Sequence, residues 1–166
     1  MADPLRNLAA LRHRVDHHAA RVMGHYSANF ACRRGCTGCC QTERTVCDVE
    51  YEALRLAVAR LPEPTRARLA DAAAETPGPL LLDGGCAVYA DRPVICRSHG
   101  LPLVMEEQLD VCPLNFTGGD VAALPREDLL SVDVVTTILV AINQLYCQET
   151  GGDTSRRRPV GGLLRG

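Results

Sequence analysis

The sequence predicts a mainly α-helical, small single domain with cysteine-rich loops and one or two short β-hairpins. Three observations carry this. Apolar residues recur at helical spacing over long stretches near both ends of the chain. Short apolar runs interrupted by turn residues occupy the middle. The cysteines concentrate in the loops between these segments.

Residues 4–30 read as one amphipathic helix. Asp3 is a suitable N-cap, and Pro4 fits the first turn because its missing N–H is not needed there. Leu8, Leu11, Val15, Val22 and Tyr26 fall close to one face. His13, His17 and His18 lie on the same helix. His13 and His17 are one turn apart, as a metal pair would be, but no further ligand follows in pattern, so they read as solvated surface residues. After the first cysteine loop, Asp48 is placed to cap a helix through Arg60, with Tyr51, Leu54, Val58 and Leu61 inward. "LPEPTRA" breaks the chain and opens a helix over 64–75, which "TPGP" stops.

"LLLDGGCAVYA" (80–90) predicts two short strands across an Asp-Gly-Gly turn, and "LPLVMEEQLDVC" (101–112) a second small hairpin. The spacing predicts a helix over 126–148 with Leu130, Val134, Ile138, Ile142 and Leu145 inward, ended by Gly151-Gly152. Residues 1–150 therefore read as one cysteine-cluster domain and 151–166 as a disordered tail. The basic run Arg156–Arg158 reads as part of that solvated terminus.

Composition excludes several classes. A net charge of −2 gives no electrostatic case for nucleic acid or an anionic membrane. No segment approaches the roughly 20 apolar residues of a membrane span. The N-terminus lacks a signal-peptide apolar region, because Arg, His and Asp interrupt it from Arg6 onward, which predicts a cytoplasmic protein. Thiols there stay reduced, so dense cysteine points to metal binding or redox chemistry. Nine cysteines, an odd number, also fit poorly with a closed disulfide framework. Aromatic residues are only 4% and Trp is absent, so aliphatic side chains build the core, and a bound metal would add folding free energy.

The cysteines form two groups. "CRRGCTGCC" (32–40) holds Cys32, Cys36, Cys39 and Cys40; Cys86, Cys96 and Cys112 follow at a distance. Two cysteines separated by two residues can aim both sulfurs at one ion from a tight turn. Gly35 and Gly38 permit the backbone such a loop needs. One tetrahedral Zn²⁺ takes four ligands, and so does a [4Fe–4S] cluster. Seven thiols therefore leave either spare cysteines or more than one metal ion. Adjacent Cys39 and Cys40 suit a bridging role, or service to two metals, better than joint terminal binding to one. Arg33, Arg34, Arg44, Arg92 and Arg97 stand close in sequence and can offset thiolate charge, or are ordinary surface arginines. Cys47 reads as a further ligand or a structural residue, and Cys147 as a small buried hydrophobe.

The segments "CRRGCTGCC" (32–40), "GGCAVYADRPVICRSHG" (84–100) and "CPLNF" (112–116) resemble the CxxCxxCC cysteine-cluster family of zinc- or iron-chelating domains, the YkgJ-like proteins. Cys-x2-Tyr-x2-Arg-Pro-x2-Cys-Arg is the most specific piece. The resemblance implies metal binding by Cys36, Cys39, Cys40, Cys86, Cys96 and Cys112, joined by Cys32. The family includes a flagellin lysine N-methylase, which implies iron–sulfur and S-adenosylmethionine chemistry for that relative. Two departures stand out. Many members carry a cysteine shortly before the "LLxDGxC" segment, and here "TPGPLLLDGGC" has none. Cys32-x3-Cys36-x2-Cys39 matches the radical-SAM spacing literally, but a chain of 166 residues with so few strands cannot supply the barrel that chemistry needs.

Four functional readings follow. The chain is a metal-binding protein with a structural or carrier role, with zinc or iron, the latter including an iron–sulfur cluster, as cofactor; it is an iron–sulfur redox or methyl-transfer enzyme; it is a structural-zinc interaction module with an unspecified protein partner; or it is a disulfide-stapled protein, against which the missing signal argues. Arg92, Arg97 and His99 are candidate cofactor-binding residues beside the thiols, and His99 is a candidate ligand, proton carrier or thiolate donor. Tyr89 reads as a core-packing residue, and Asn115 and Asn143 as partners for buried backbone groups. No Ser-His-Asp arrangement, P-loop or dinucleotide glycine motif is visible, and no residue is assigned as catalytic.

Overall fold

In the computed structural model, residues 3–33, 35–75 and 78–164 are described. Arg34, the Thr76-Pro77 pair of the "TPGP" break and the last two residues of the tail lie outside them.

The protein is mainly helical. Helix α1 (Pro4–His25) is capped as predicted, with the Asp3 carboxylate accepting from the backbone N–H of Leu5 at 3.0 Å and Arg6 at 3.1 Å. It ends earlier than the pattern suggests, and a 3-10 turn (Ser27–Asn29) follows. Leu8, Leu11, Val15 and Val22 are buried, each at most 4% exposed. Tyr26 instead reaches out of the apolar face and donates its hydroxyl to Asp128 at 2.6 Å. The same face buries Arg12, whose Nε and Nη2 have no hydrogen-bond partner among the described residues. Burial lowers its pKa, and the negative charge of Glu50 works in the opposite direction.

Strand β1 (Thr45–Val46) leads into α2 (Asp48–Ala59) and α3 (Glu63–Glu75). The N-cap of α2 is Cys47 rather than Asp48. Asp48 occupies the first helical position and turns its carboxylate to Arg156. Strands β2 (Leu81–Leu82) and β3 (Gly85–Cys86) form the first predicted hairpin. Its turn residues Asp83 and Gly84 both have positive φ, 52° and 75°, as a two-residue primed turn requires. The short helix α4 (Val94–Ser98) precedes the second predicted hairpin, β4 (Leu103–Met105) and β5 (Gln108–Asp110).

The predicted 126–148 helix is split. A 3-10 turn (Arg126–Asp128) comes first, and β6 (Leu130–Ser131) then pairs parallel to β4. Helix α5 (Val132–Thr150) starts after Ser131, whose hydroxyl accepts from Val134 N at 3.3 Å. The register shifts with it. Val134 is 58% and Leu145 37% exposed, while Val135, Ile138, Leu139, Ile142 and Tyr146 face the core. Gly151, at φ 71°, ends α5.

The tail is not a free segment in the structure. Strand β7 (Arg158–Pro159) pairs antiparallel with β1, and a 3-10 turn (Val160–Leu164) places Val160 in the core at 5% exposure. Composition misses this because the contacts are made across more than a hundred residues.

Helix α2 separates two cores. On one side α1, α5, Val49, Val94, Leu101 and Leu130 pack together. On the other, Tyr51, Leu54 and Val58 meet Leu69, Leu80, Val88 and Val160. Leu8, Leu54 and Leu69 are almost fully buried, and each contributes roughly 1.5–3 kcal/mol by leaving water. The cysteine loops lie where the two cores meet.

Candidate metal centre

Asn115 organises the first cysteine loop. It is 2% exposed, and its Oδ1 accepts from Ala31 N at 2.8 Å. Its Nδ2 donates to the Gly100 carbonyl at 2.7 Å and to Cys32 Sγ at 3.2 Å. The "CPLNF" segment is thereby fastened to the start of the loop. Phe116 N also donates to the Asn29 carbonyl at 2.7 Å, and the Phe116 ring packs on Phe30 and Tyr26. Gly100 must be glycine on two counts. Its φ is +99°, and a Cβ there would lie 2.8 Å from Cys32 Sγ.

The rest of the loop is held by its own backbone. Cys36 N donates to the Arg33 carbonyl at 2.9 Å across a turn that Gly35 completes at φ 91°. Gly38–Cys40 forms a single 3-10 turn, and Arg44 donates to the Cys39 carbonyl at 3.0 Å. Gly78 brings the next segment close, since a Cβ there would stand 2.8 Å from the Cys40 carbonyl oxygen.

The second group approaches from the other side. Cys86 lies on β3, and Cys96 lies on α4. Buried Glu50 positions α4 by accepting from Val94 N at 2.8 Å. Arg97 donates through Nε to the Arg92 carbonyl at 2.9 Å, and also binds the Asp16 carboxylate and the Ala90 carbonyl. Arg92 donates to the Tyr89 carbonyl at 3.0 Å and to Asp16 at 3.3 Å, with its guanidinium 4.1 Å from the Tyr89 ring centre. Both arginines therefore pin the 89–92 loop to α1. Tyr89 is 64% exposed beneath Arg92 rather than packed in the core.

These elements enclose a cavity of about 350 Å³. Cys32, Cys36, Cys39, Cys40, Cys86 and Cys96 line it, together with Arg33, Arg44, Arg92, Arg97 and His99. Apolar side chains including Met23, Phe30, Leu80 and Val160 form its remaining wall, and no Asp or Glu faces it among the described residues. Cys112 is not among the residues that line it. Two sequence regions about fifty residues apart thus supply the thiols of one cavity. The thiols ring it rather than close on a point. Among the described residues, no group of three or more His, Cys, Asp or Glu side chains is placed so that it could hold a metal ion.

The nine cysteines are all free thiols. Burial, followed by repulsion from Cys40, Cys86 and Cys39, pushes Cys96 up to about 12. Burial also raises Cys32, Cys39, Cys40 and Cys86. These thiols are accordingly protonated donors at neutral pH, ready to exchange protons for a thiophilic ion. The donor set and the glycine approaches fit such an ion.

The other candidates lie apart. Cys47 is 6% exposed and directs Sγ toward Glu50 Oε2 at 3.9 Å; Cys147 is 3% exposed beside Gly152. Neither lines the cavity. His13 and His17 are exposed on α1, and His18 is half-buried, with its pKa lowered by burial. Asn143 accepts from Val49 N at 3.1 Å, a buried backbone group, as expected. What the sequence alone missed is the thiol contact of Asn115 and the anchors Asp16 and Glu50, which carry no local motif.

Comparison of the chain with protein-family models, curated proteins and solved structures finds no match.

Proposed function

We propose that this chain is a cytoplasmic cysteine-cluster protein that binds zinc or iron, the latter as ions or an iron–sulfur cluster, through thiolates from residues 32–40 and 86–112. The observation that carries the reading is the convergence of six thiols from two sequence regions on one cavity free of carboxylates. The motif resemblance to the YkgJ-like family supports it. Soft thiolate ligands select zinc and iron–sulfur centres over hard cations. Free thiols throughout suit a reducing compartment. An ion bound here would tie the loop after α1 to α4 and the β2–β3 hairpin, so binding would add to folding stability.

The apolar wall of the same cavity favours a second reading, an iron–sulfur redox or methyl-transfer enzyme, because a closed structural zinc site needs no such space.

The test is metal analysis of protein purified without oxygen, together with Cys36→Ser and Cys96→Ser. The reading expects bound zinc or iron, and a loss of both metal and melting temperature in each variant. Brown protein with iron and acid-labile sulfide selects the cluster form. Colourless protein with zinc selects the ion form. Full metal content and unchanged melting in both variants would rule out a site shared by the two regions.

A further inference from the structure

The end of the chain is fastened beside the thiol cavity, and the fastening is narrow. After Gly151 the chain runs exposed over 153–157 and then lies along β1. β7 and β1 share a ladder of two residues, Thr45 opposite Pro159 and Val46 opposite Arg158. Pro159 has no N–H to give that ladder. Three arginines add the remaining polar hold. Arg156 binds Asp48, Arg157 donates to the Thr45 carbonyl at 2.7 Å, and Arg158 lies 3.5 Å from the Tyr51 ring centre. The Arg156 side chain is itself half exposed. A segment held mainly by solvent-exposed polar contacts belongs to the low-stability end of a fold, and it opens before the core does.

Two links carry this segment to the thiols. The first is Val160, which is 5% exposed, packs in the same cluster as Leu80 and Cys86, and forms part of the cavity wall with them. The second runs through Arg44. The Val160 N–H donates to the Arg44 carbonyl at 2.9 Å, and the Arg44 guanidinium donates to the Cys39 carbonyl at 3.0 Å. Lifting the segment therefore removes a wall beside Cys86 and frees the residue that holds the Cys39–Cys40 turn. The other end of the cysteine loop is fastened separately, by the Asn115 Nδ2 that donates to Cys32 Sγ at 3.2 Å.

We propose that the terminal segment, residues 152–164, is a latch on the thiol cavity. Seated on β1, it walls off Cys39, Cys40 and Cys86 from bulky thiol-reactive molecules; lifted, it admits them. The latch concerns access to the thiols and is independent of which ion they bind.

Full-length reduced protein, treated with chelator, is pulse-labelled with a bulky maleimide, and each cysteine is read by mass spectrometry. Arg156→Ala is expected to speed labelling of Cys39, Cys40 and Cys86 at least about tenfold, because breaking a buried pair moves the equilibrium toward the lifted state by more than that. Cys32 and Cys112 should change little. Arg158→Ala, which strands no buried charge, is expected to act on the same three thiols by a smaller factor. Hydrogen exchange gives a second readout on the unmodified protein: the Val160 amide should exchange well before those of Leu11 and Val15 in α1. Equal acceleration of every cysteine in both variants would be general loosening and would overturn the latch. Unchanged labelling of Cys39, Cys40 and Cys86 in a variant whose Val160 amide exchanges faster would overturn it too, because the segment would then move without opening the cavity. Exchange of the Val160 amide in step with Leu11 and Val15 would make the segment a fixed part of the core.

Discussion

Arg156 grips Asp48 through both carboxylate oxygens, with Nε 3.0 Å from Oδ1 and Nη2 2.5 Å from Oδ2. Asp48 is 3% exposed, at the first turn of α2, and its partner comes from the far end of the chain. Removing the arginine leaves a carboxylate buried without a counter-charge, and that is the costly way to break such a pair. Arg156→Ala is therefore expected to lower the melting temperature and to free the terminal segment, so that limited proteolysis cuts first after α5. Arg156→Lys, which keeps the charge but not the two-pronged geometry, should recover only part of the stability. If Arg156→Ala melts like the unmodified protein, the segment is not held by this pair.

Asn115 connects the fold to the cysteine-lined cavity more directly. Replacing it with Ala strips the half-buried Ala31 N–H and the buried Gly100 carbonyl of their partner and removes the donor to Cys32. An unsatisfied buried group costs about 1–3 kcal/mol. Asn115→Ala should lose about that much stability in urea unfolding and should also weaken metal uptake. Gly100→Ala reaches Cys32 by another route, forcing a Cβ to 2.8 Å from its sulfur in a backbone that L side chains avoid. Strain of this kind costs of order 1–3 kcal/mol. A Gly100→Ala protein with unchanged stability and metal content would show that the loop relaxes freely.

Glu50 is the corresponding support on the other side. Its Oε1 accepts from Val94 N at 2.8 Å, and so fixes the start of the helix that carries Cys96. Burial raises its pKa, partly offset by that backbone N–H and by the Arg12 charge. Glu50→Ala leaves the Val94 N–H buried without an acceptor, at about 1–3 kcal/mol. Glu50→Gln keeps an acceptor of the same shape and should cost less. Equal losses in the two variants, measured by chemical denaturation, would place the role of Glu50 in its charge instead.

Local chemistry in the sequence accounts for much of this architecture, and distant partners account for the remainder. The Asp3 cap, the Asp83-Gly84 turn and the Gly151 stop were each legible because a single residue type satisfies a local backbone demand. The turn of the second hairpin is different. Glu106 and Glu107 take φ of 48° and 62° without Gly or Asn, so only the flanking apolar residues signalled it. The start of α5 was misread because Leu130 fits a helical period yet pairs as a strand with Leu103. The basic run misled most. Arg156 binds Asp48, Arg157 donates to the Thr45 carbonyl at 2.7 Å, and Arg158 lies 3.5 Å from the Tyr51 ring centre. None of those partners lies near it in sequence. At the centre, residue types and spacing singled out the thiols that line the cavity and Asn115 as a backbone partner, but not the Asn115–Cys32 contact, nor Glu50 and Asp16, which hold the loops.

The chain contains no lysine, so its alkaline titration belongs to thiols and tyrosines, and this makes a pH experiment readable. Burial, then the negative charge of Glu50, pushes Cys47 up to about 11; burial and neighbouring thiols push Cys96 up to about 12. An unfolded thiol titrates near about 8.5. Below that value both thiols are protonated in the folded and unfolded chains, and their contribution to stability is fully present. As pH rises from there toward 11 and 12, the unfolded chain releases protons that the folded chain still holds, and stability falls. Tyr26 and Tyr146, also raised, add to the same trend. Chelator-treated protein should therefore lose stability steeply over this window in urea titrations, and Cys47→Ser should flatten part of the slope. A bound metal changes the sign of the Cys96 contribution, because that sulfur must already have given up its proton to the ion. Metal affinity should accordingly rise with pH in the neutral range, with protons released on binding. If loaded and chelated protein share one alkaline profile, Cys96 is not a ligand.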